Sequence, residues 1–203
     1  MKRNAIVMIL ALAAMTAMAH DVLKVNYSGT RPSITDFAWA FLFTPDDDED
    51  ECDGEATGGI MDALERYRRG EAQDEYATLL VDERNGFIRY EWRYPEDNVL
   101  SVIEMCYWNE ADGKHKLFVC SRWFYKNGKP ALGQYDGMIF YRYTNATKSM
   151  TMCEAPGFEV QYYDTTYSLP RSGKDIIMTK WDQDGRATEH ILHWNGHRFN
   201  LMK

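Results

Sequence analysis

No G-x-S-x-G nucleophile elbow and no cysteine set at a helix start occurs in the 203 residues, so hydrolysis through an activated serine or thiol has no motif to rest on. The four cysteines, Cys52, Cys106, Cys120 and Cys153, do not fall at zinc-ligand spacings. Basic residues are outnumbered, 23 against 31 acidic, and the formal charge of −8 repels phosphate backbones and anionic lipid surfaces, which argues against nucleic acid as a partner. The apolar run from Ala5 to Met15 is too short to cross a bilayer, and no cysteine follows it to carry a lipid anchor, so membrane insertion is not expected.

What is present begins with that run. Lys2 and Arg3, the apolar stretch, and then Ala17-Met18-Ala19 predict a bacterial-type signal peptide over residues 1–19 with cleavage before His20. The expected location is therefore periplasmic or secreted. Processing leaves 184 residues and takes the charge to −10, which favours a neutral or cationic partner. An oxidising compartment permits two disulfides among four cysteines. A three-residue hairpin loop at Asp112-Gly113-Lys114 sets Cys106 opposite Cys120 as one pair. The alternative, that all four remain buried thiols, stays open because a chain of this size needs no staples.

The chain divides into a helical part, 20–74, and a β part, 75–203, of one exported domain. Ser33-Ile34-Thr35-Asp36 reads as a capping box opening a short apolar helix through Phe37, Ala38, Phe41 and Leu42 that must stop before Pro45. A second helix, about Ile60 to Arg69, carries Ile60, Leu64 and Tyr67 on one stripe and meets Gly70 as its stop. From about Tyr76 the period changes to two, punctuated by Asn85-Gly86, Asp112-Gly113, Asn127-Gly128, Asp184-Gly185 and Asn195-Gly196. The strands this predicts are 76–81, 87–94, 100–108, 116–125, 138–143, 149–153, 159–167, 175–181, 188–194 and 198–202. The fold class is α+β, predominantly antiparallel: a helix pair on an antiparallel meander or two-layer sandwich. Ile103-x-Met105-x-x-Trp108 is echoed by Ile176-x-Met178-x-x-Trp181, and each is followed by an Asp-Gly turn and a strand carrying a tryptophan. The echo leaves two readings, a duplicated β unit or two hairpins that look alike.

Three metal readings arise. Cleavage before His20 exposes an α-amine and an imidazole on one residue, which resembles half of the copper clamp of copper-dependent polysaccharide monooxygenases. The resemblance covers that single residue, and Asp21 stands where those enzymes commonly carry glycine. Glu49, Glu51 and Asp53, followed by Gly54, follow part of a calcium-loop frame, but Ile60 occupies its twelfth position, where a bidentate Glu belongs. His190, His193 and His197 have zinc-like spacing, yet residues three apart on a strand face opposite ways.

Aromatic residues make up 14% of the chain. Tyrosine and tryptophan on a sheet can supply a stacking surface, and the expected binding set is Trp92, Tyr107, Trp108, Trp123, Tyr163, Trp181 and Trp194. The competing reading covers both sheet faces and makes these residues core. The function expected is that of a soluble exported binding or interaction protein using this aromatic β surface. The alternative is a small secreted hydrolase of glycans or peptidoglycan using a carboxylate pair such as Glu91 with Glu104 or Asp136 with Asp164.

Overall fold

The switch of hydrophobic period near Tyr76 is where helices give way to strands. The computed structural model describes residues 22–42, 54–96, 98–131, 137–161, 164–182 and 184–202. The expected signal segment, His20, Glu49, Glu51, Cys52, Asp53, Asp136 and Tyr163 lie outside the described residues. Helix α1 is Ile34–Leu42 and α2 is Gly54–Arg69. The strands are β1 Val22–Lys24, β2 Ala77–Asp82, β3 Phe87–Tyr94, β4 Val99–Asn109, β5 His115–Lys126 and β6 Lys129–Pro130. They continue as β7 Gly137–Thr144, β8 Ser149–Cys153, β9 Thr165–Ser168, β10 Asp175–Trp181, β11 Ala187–Trp194 and β12 Phe199–Leu201.

Every strand pair is antiparallel. The larger sheet runs β1-β8-β7-β5-β4-β3-β2, with β6 hydrogen-bonded to β5, and the smaller runs β12-β11-β10-β9. Both are meanders in which chain neighbours pair, apart from β7, which pairs with β5 past the short β6, and β1, which joins the far edge beside β8. The α+β, mostly antiparallel architecture follows directly from the turn signals.

Local chemistry fixes the helix ends. The Asp36 carboxylate accepts the Ser33 N–H at 2.7 Å while Ser33 Oγ accepts the Asp36 N–H at 3.3 Å, a reciprocal cap. At the end of α2, Gly70 takes φ +68°, Gly70 N–H reaches the Tyr67 carbonyl and Glu71 N–H reaches that of Arg66. This pair of bonds is a Schellman stop, and it needs the left-handed conformation that glycine adopts freely.

Alternation on the central strands fills two separate cores. Ile103, Met105, Phe118 and Cys120 point to one face, in a cluster with Ile34, Phe37 and Ala38 of α1 and Ile60, Ala63 and Leu64 of α2. Val102 is buried, and Cys106, Trp108, Leu117, Val119 and Trp123 of the same two strands meet Tyr167, Ile176, Leu192, Trp194 and Phe199 of the smaller sheet. The large sheet is therefore covered on both faces, and β4 is buried without a break from Ser101 to Cys106. Each fully buried Phe or Leu here contributes about 1.5–3 kcal/mol of transfer free energy.

Three expectations are corrected. Glu110 N–H bonds the His115 carbonyl, so the β4–β5 loop holds four residues rather than three. That slip places Cys120 opposite Met105 and Cys106 opposite Val119. A one-residue shift sends the two thiols to opposite faces of the sheet, so Cys106 and Cys120 cannot form the expected bridge. Cys106, Cys120 and Cys153 are all free. The strand expected over 159–167 begins only at Thr165. Ahead of it Phe158 turns inward against Phe140 and Phe199, and Gln161 N–H is held by the Tyr167 hydroxyl at 2.8 Å. Helix α2 starts at Gly54, ahead of the stripe that opens at Ile60.

The two echoing stretches present their matched residues differently. Ile103 and Met105 face the helices while Trp123 faces the smaller sheet, whereas Ile176, Met178 and Trp194 all share the inter-sheet core.

Candidate ligand-binding groove

Strand β5 runs on past the start of β7, whose first residue, Gly137, pairs with Arg122. This leaves a step in the large sheet beside Leu42, the last described residue of α1. A groove of about 900 Å³ opens there. One wall is Phe41, Leu42 and Ile60 from the helices, and the floor is Ile103, Met105, Cys120, Arg122 and Ile139 from the sheet. Around the start of β7 it continues to Met138 and Phe140 on the other face of that strand and to Met152 and Cys153 of β8, and the segment carrying Glu154, Phe158, Glu159 and Val160 closes the far side.

The lining is rich in sulfur. Met105, Met138 and Met152 contribute flexible thioethers, which adapt to ligand shape better than branched side chains do. Met152 is 43% exposed on its strand and forms an open part of the wall. The thiols are inert: burial pushes Cys120 up to about 12 and Cys153 up to about 11, so both stay protonated at neutral pH. Charge enters at Arg122, whose guanidinium lies 5.7 Å from the centre of the Phe124 ring, and at the exposed carboxylates Glu154 and Glu159.

The tryptophans named from the sequence do not form one surface. Trp108, Trp123 and Trp194 are 6%, 2% and 1% exposed and lie between the sheets. The Trp123 indole N–H donates to the Tyr167 carbonyl at 2.9 Å, tying β5 to β9. Tyr107 is half-buried beneath α1, 5.1 Å from the Phe37 ring, with the Lys116 ammonium 4.8 Å from its own ring centre. Trp181 is half-buried at the end of β10 and donates to Thr166 Oγ1 at 3.2 Å. Trp92 keeps partial exposure in an edge-to-face chain with Tyr76 and Tyr94, each 6.3 Å away.

The ionisable clusters are engaged in structure. Arg89 bridges Glu91 and Glu104, which makes that carboxylate pair an ion-paired triad. Glu104, 4% exposed, also accepts the Leu169 N–H at 2.8 Å. Burial raises its pKa, and the Leu169 N–H and Arg89 oppose the rise. The ligand atoms of Glu110, Asp112 and His115 lie within 4.8 Å of one another. All three are engaged in hydrogen bonds: Arg142 grips both oxygens of Glu110, and Asp112 accepts from the Lys114 and His115 amides and pairs with the His115 ring. His193 pairs with Asp175 at 2.6 Å on the outer face of the small sheet, while His190 stands opposite Met178 on the inner face.

The groove residues had only a faint signal in the sequence. Ser149-Met150-Thr151-Met152-Cys153 places two methionines on one face of β8, of which Met150 is buried and Met152 open. No helix among the described residues is long and apolar enough to cross a membrane. In comparisons with known proteins, no family model, no curated protein and no solved structure matches the chain.

Proposed function

We propose that this chain is an exported, non-catalytic binding protein whose ligand is a small molecule with an apolar body, neutral or cationic, seated in the groove between α1, β7 and residues 154–160. The observation that carries this reading is the groove itself: about 900 Å³ with Phe41, Met105, Ile139, Met152 and Phe158 in its wall. That size falls in the range of small-molecule sites, about 300–1,000 Å³, which are mostly apolar with a few polar groups at fixed places. Glu154 and Glu159 at the mouth, with the chain's charge of −8 behind them, disfavour an anion. The binding surface moves from the tryptophans to the methionines, because the inter-sheet indoles have no face left to offer.

The test is fluorescence titration with the neutral dye Nile red, on the protein and on Met152→Glu. Met152 is already open to solvent, so a carboxylate there spoils the groove wall without being buried. The result expected is saturable binding by the parent protein and about a tenfold weaker constant for the variant. Binding that Met152→Glu leaves unchanged, or no saturable binding by the parent, overturns the reading.

A further inference from the structure

Four strands end the two sheets: β1 and β2 the larger, β9 and β12 the smaller. Natural sheets guard their edges with short strands, charges, prolines or bulges, because an open edge is a template for another chain. Three of these edges are short, at 3, 4 and 3 residues for β1, β9 and β12. Strand β2 has 6 residues and carries neither proline nor charge until its last, Asp82. Among the described residues it pairs only with β3.

The register says which of its backbone groups are spare. Arg93 N–H donates to the Tyr76 carbonyl, and residues 76 and 93 continue the β2–β3 register by one position. Hydrogen-bonded pairs in an antiparallel ladder alternate, so Thr78, Leu80 and Asp82 turn their backbone groups inward to β3. Leu79 and Val81 direct N–H and C=O to the open side. Ala77 does so with its carbonyl, while its N–H is held by Asp74. Side chains fix the strand from both faces: Ala77, Leu79 and Val81 pack toward the helices and Leu80 toward the inter-sheet core.

We infer that the outer edge of β2 docks an extended peptide segment, apolar at alternate positions and cationic at its ends, as an added strand. The charge around the edge selects that partner. From Glu71 to Asn85 the chain carries five acidic residues and Arg84; Glu71 is paired with Arg69 and Asp82 with Arg171, which leaves Asp74, Glu75 and Glu83 to meet a partner. Two copies of β2 paired antiparallel bring these acidic ends together, whereas lysines or arginines flanking an apolar segment meet them with opposite charge. Tyr76, 40% exposed, and Trp92, opposite Ala77, stand beside the start of the edge and give an arriving side chain an aromatic contact. Main-chain bonds then supply affinity and the alternating contacts supply selectivity. This edge is separate from the groove, so either can fail without the other.

The test uses a synthetic peptide, Lys-Lys-Val-Thr-Val-Thr-Val-Lys-Lys, and amide hydrogen exchange followed by NMR on the intact protein. The result expected is that the Leu79 and Val81 amides slow by about tenfold on adding peptide, while those of Thr78 and Leu80, already bonded to β3, stay as they were. Leu79→Pro removes one outward donor and leaves the β2–β3 ladder intact, and it is expected to abolish this binding with near-UV circular dichroism unchanged. Should that variant fail to fold, the exchange pattern of the parent protein decides alone. Unchanged exchange at Leu79 and Val81, equal binding of the same peptide with glutamates in place of lysines, or a concentration-dependent dimer that already protects those amides would each overturn the inference.

Discussion

The two faces of the large sheet are made by the same strands and covered by different elements, a second sheet on one side and two helices on the other. Toward the small sheet stand Trp108, Trp123, Trp194, Phe140, Phe158 and Phe199, whose rings meet at centroid distances such as 4.9 Å for Trp194 and Phe199 and 5.3 Å for Trp108 and Phe199. Toward the helices the cover is two elements; α1 packs Phe37 and Phe41 on Tyr143 and Tyr141 of β7, and the groove opens beside Leu42 at the start of that strand. Bulky rigid rings close a layer, whereas the groove mixes rings with the thioethers of Met105, Met138 and Met152, which can repack. Rings pack both faces, and what sets the groove apart is the exposed thioether of Met152 beside Phe41 and Phe158.

The largest effect separating the faces belongs to Trp194→Ala. Removing a side chain 1% exposed leaves a void in the closed layer, and a loss of about 3–5 kcal/mol is expected by denaturant unfolding. A loss under about 1 kcal/mol would mean that the inter-sheet layer is loose. Next is Glu104→Ala, which leaves the Leu169 N–H without its acceptor and Arg89 without one of its carboxylates, at about 1–3 kcal/mol. The smallest is Met152→Glu on the open face, expected to stay within about 0.5 kcal/mol of the parent while ligand binding drops.

Acid titration sharpens the same contrast. Hydrogen bonds from Asn85 and Arg171 hold the Asp82 carboxyl at about 2, and His115 with the Lys114 amide holds Asp112 at about 2. An unfolded aspartate titrates near about 3.9, so the stabilisation these two supply is complete above that value and is lost as pH falls toward 2. Glu104 has the opposite sign. Burial raises its folded pKa, the folded chain holds that proton more tightly, and its contribution is lost as pH rises above the unfolded value of about 4.3. Glu104→Gln is therefore expected to flatten the stability profile above about pH 4 and to leave the acid limb intact. An unchanged profile above that pH would remove Glu104 as a titrating group in the closed layer.

Much of the β architecture was legible because period-two patterning and Asx-Gly turns are local. Strands 87–94, 149–153 and 175–181 fall where the pattern places them. Register was not legible, since Asp112-Gly113 marks a turn but does not count the residues in its loop, and one extra residue separated Cys106 from Cys120. Alternation told that Tyr107 and Trp108 face opposite ways, but not that α1 covers one and β11 with β12 the other. The groove was hidden for the same reason: it joins Phe41, Leu42 and Ile60 to strands far along the chain. Residues 159–161 lack strand structure because Phe158 and Tyr167 draw that segment into the sandwich, a tertiary effect that propensity does not carry.

The most direct measurement is methyl and indole NMR during titration with Nile red, reading the methionine methyls and the tryptophan N–H signals in one sample. The result expected is movement of the Met105, Met138 and Met152 methyls with the Trp108, Trp123 and Trp194 indoles unmoved. Shifts at those indoles with still methionine methyls would contradict the assignment of the groove at the start of β7 as the ligand-binding site.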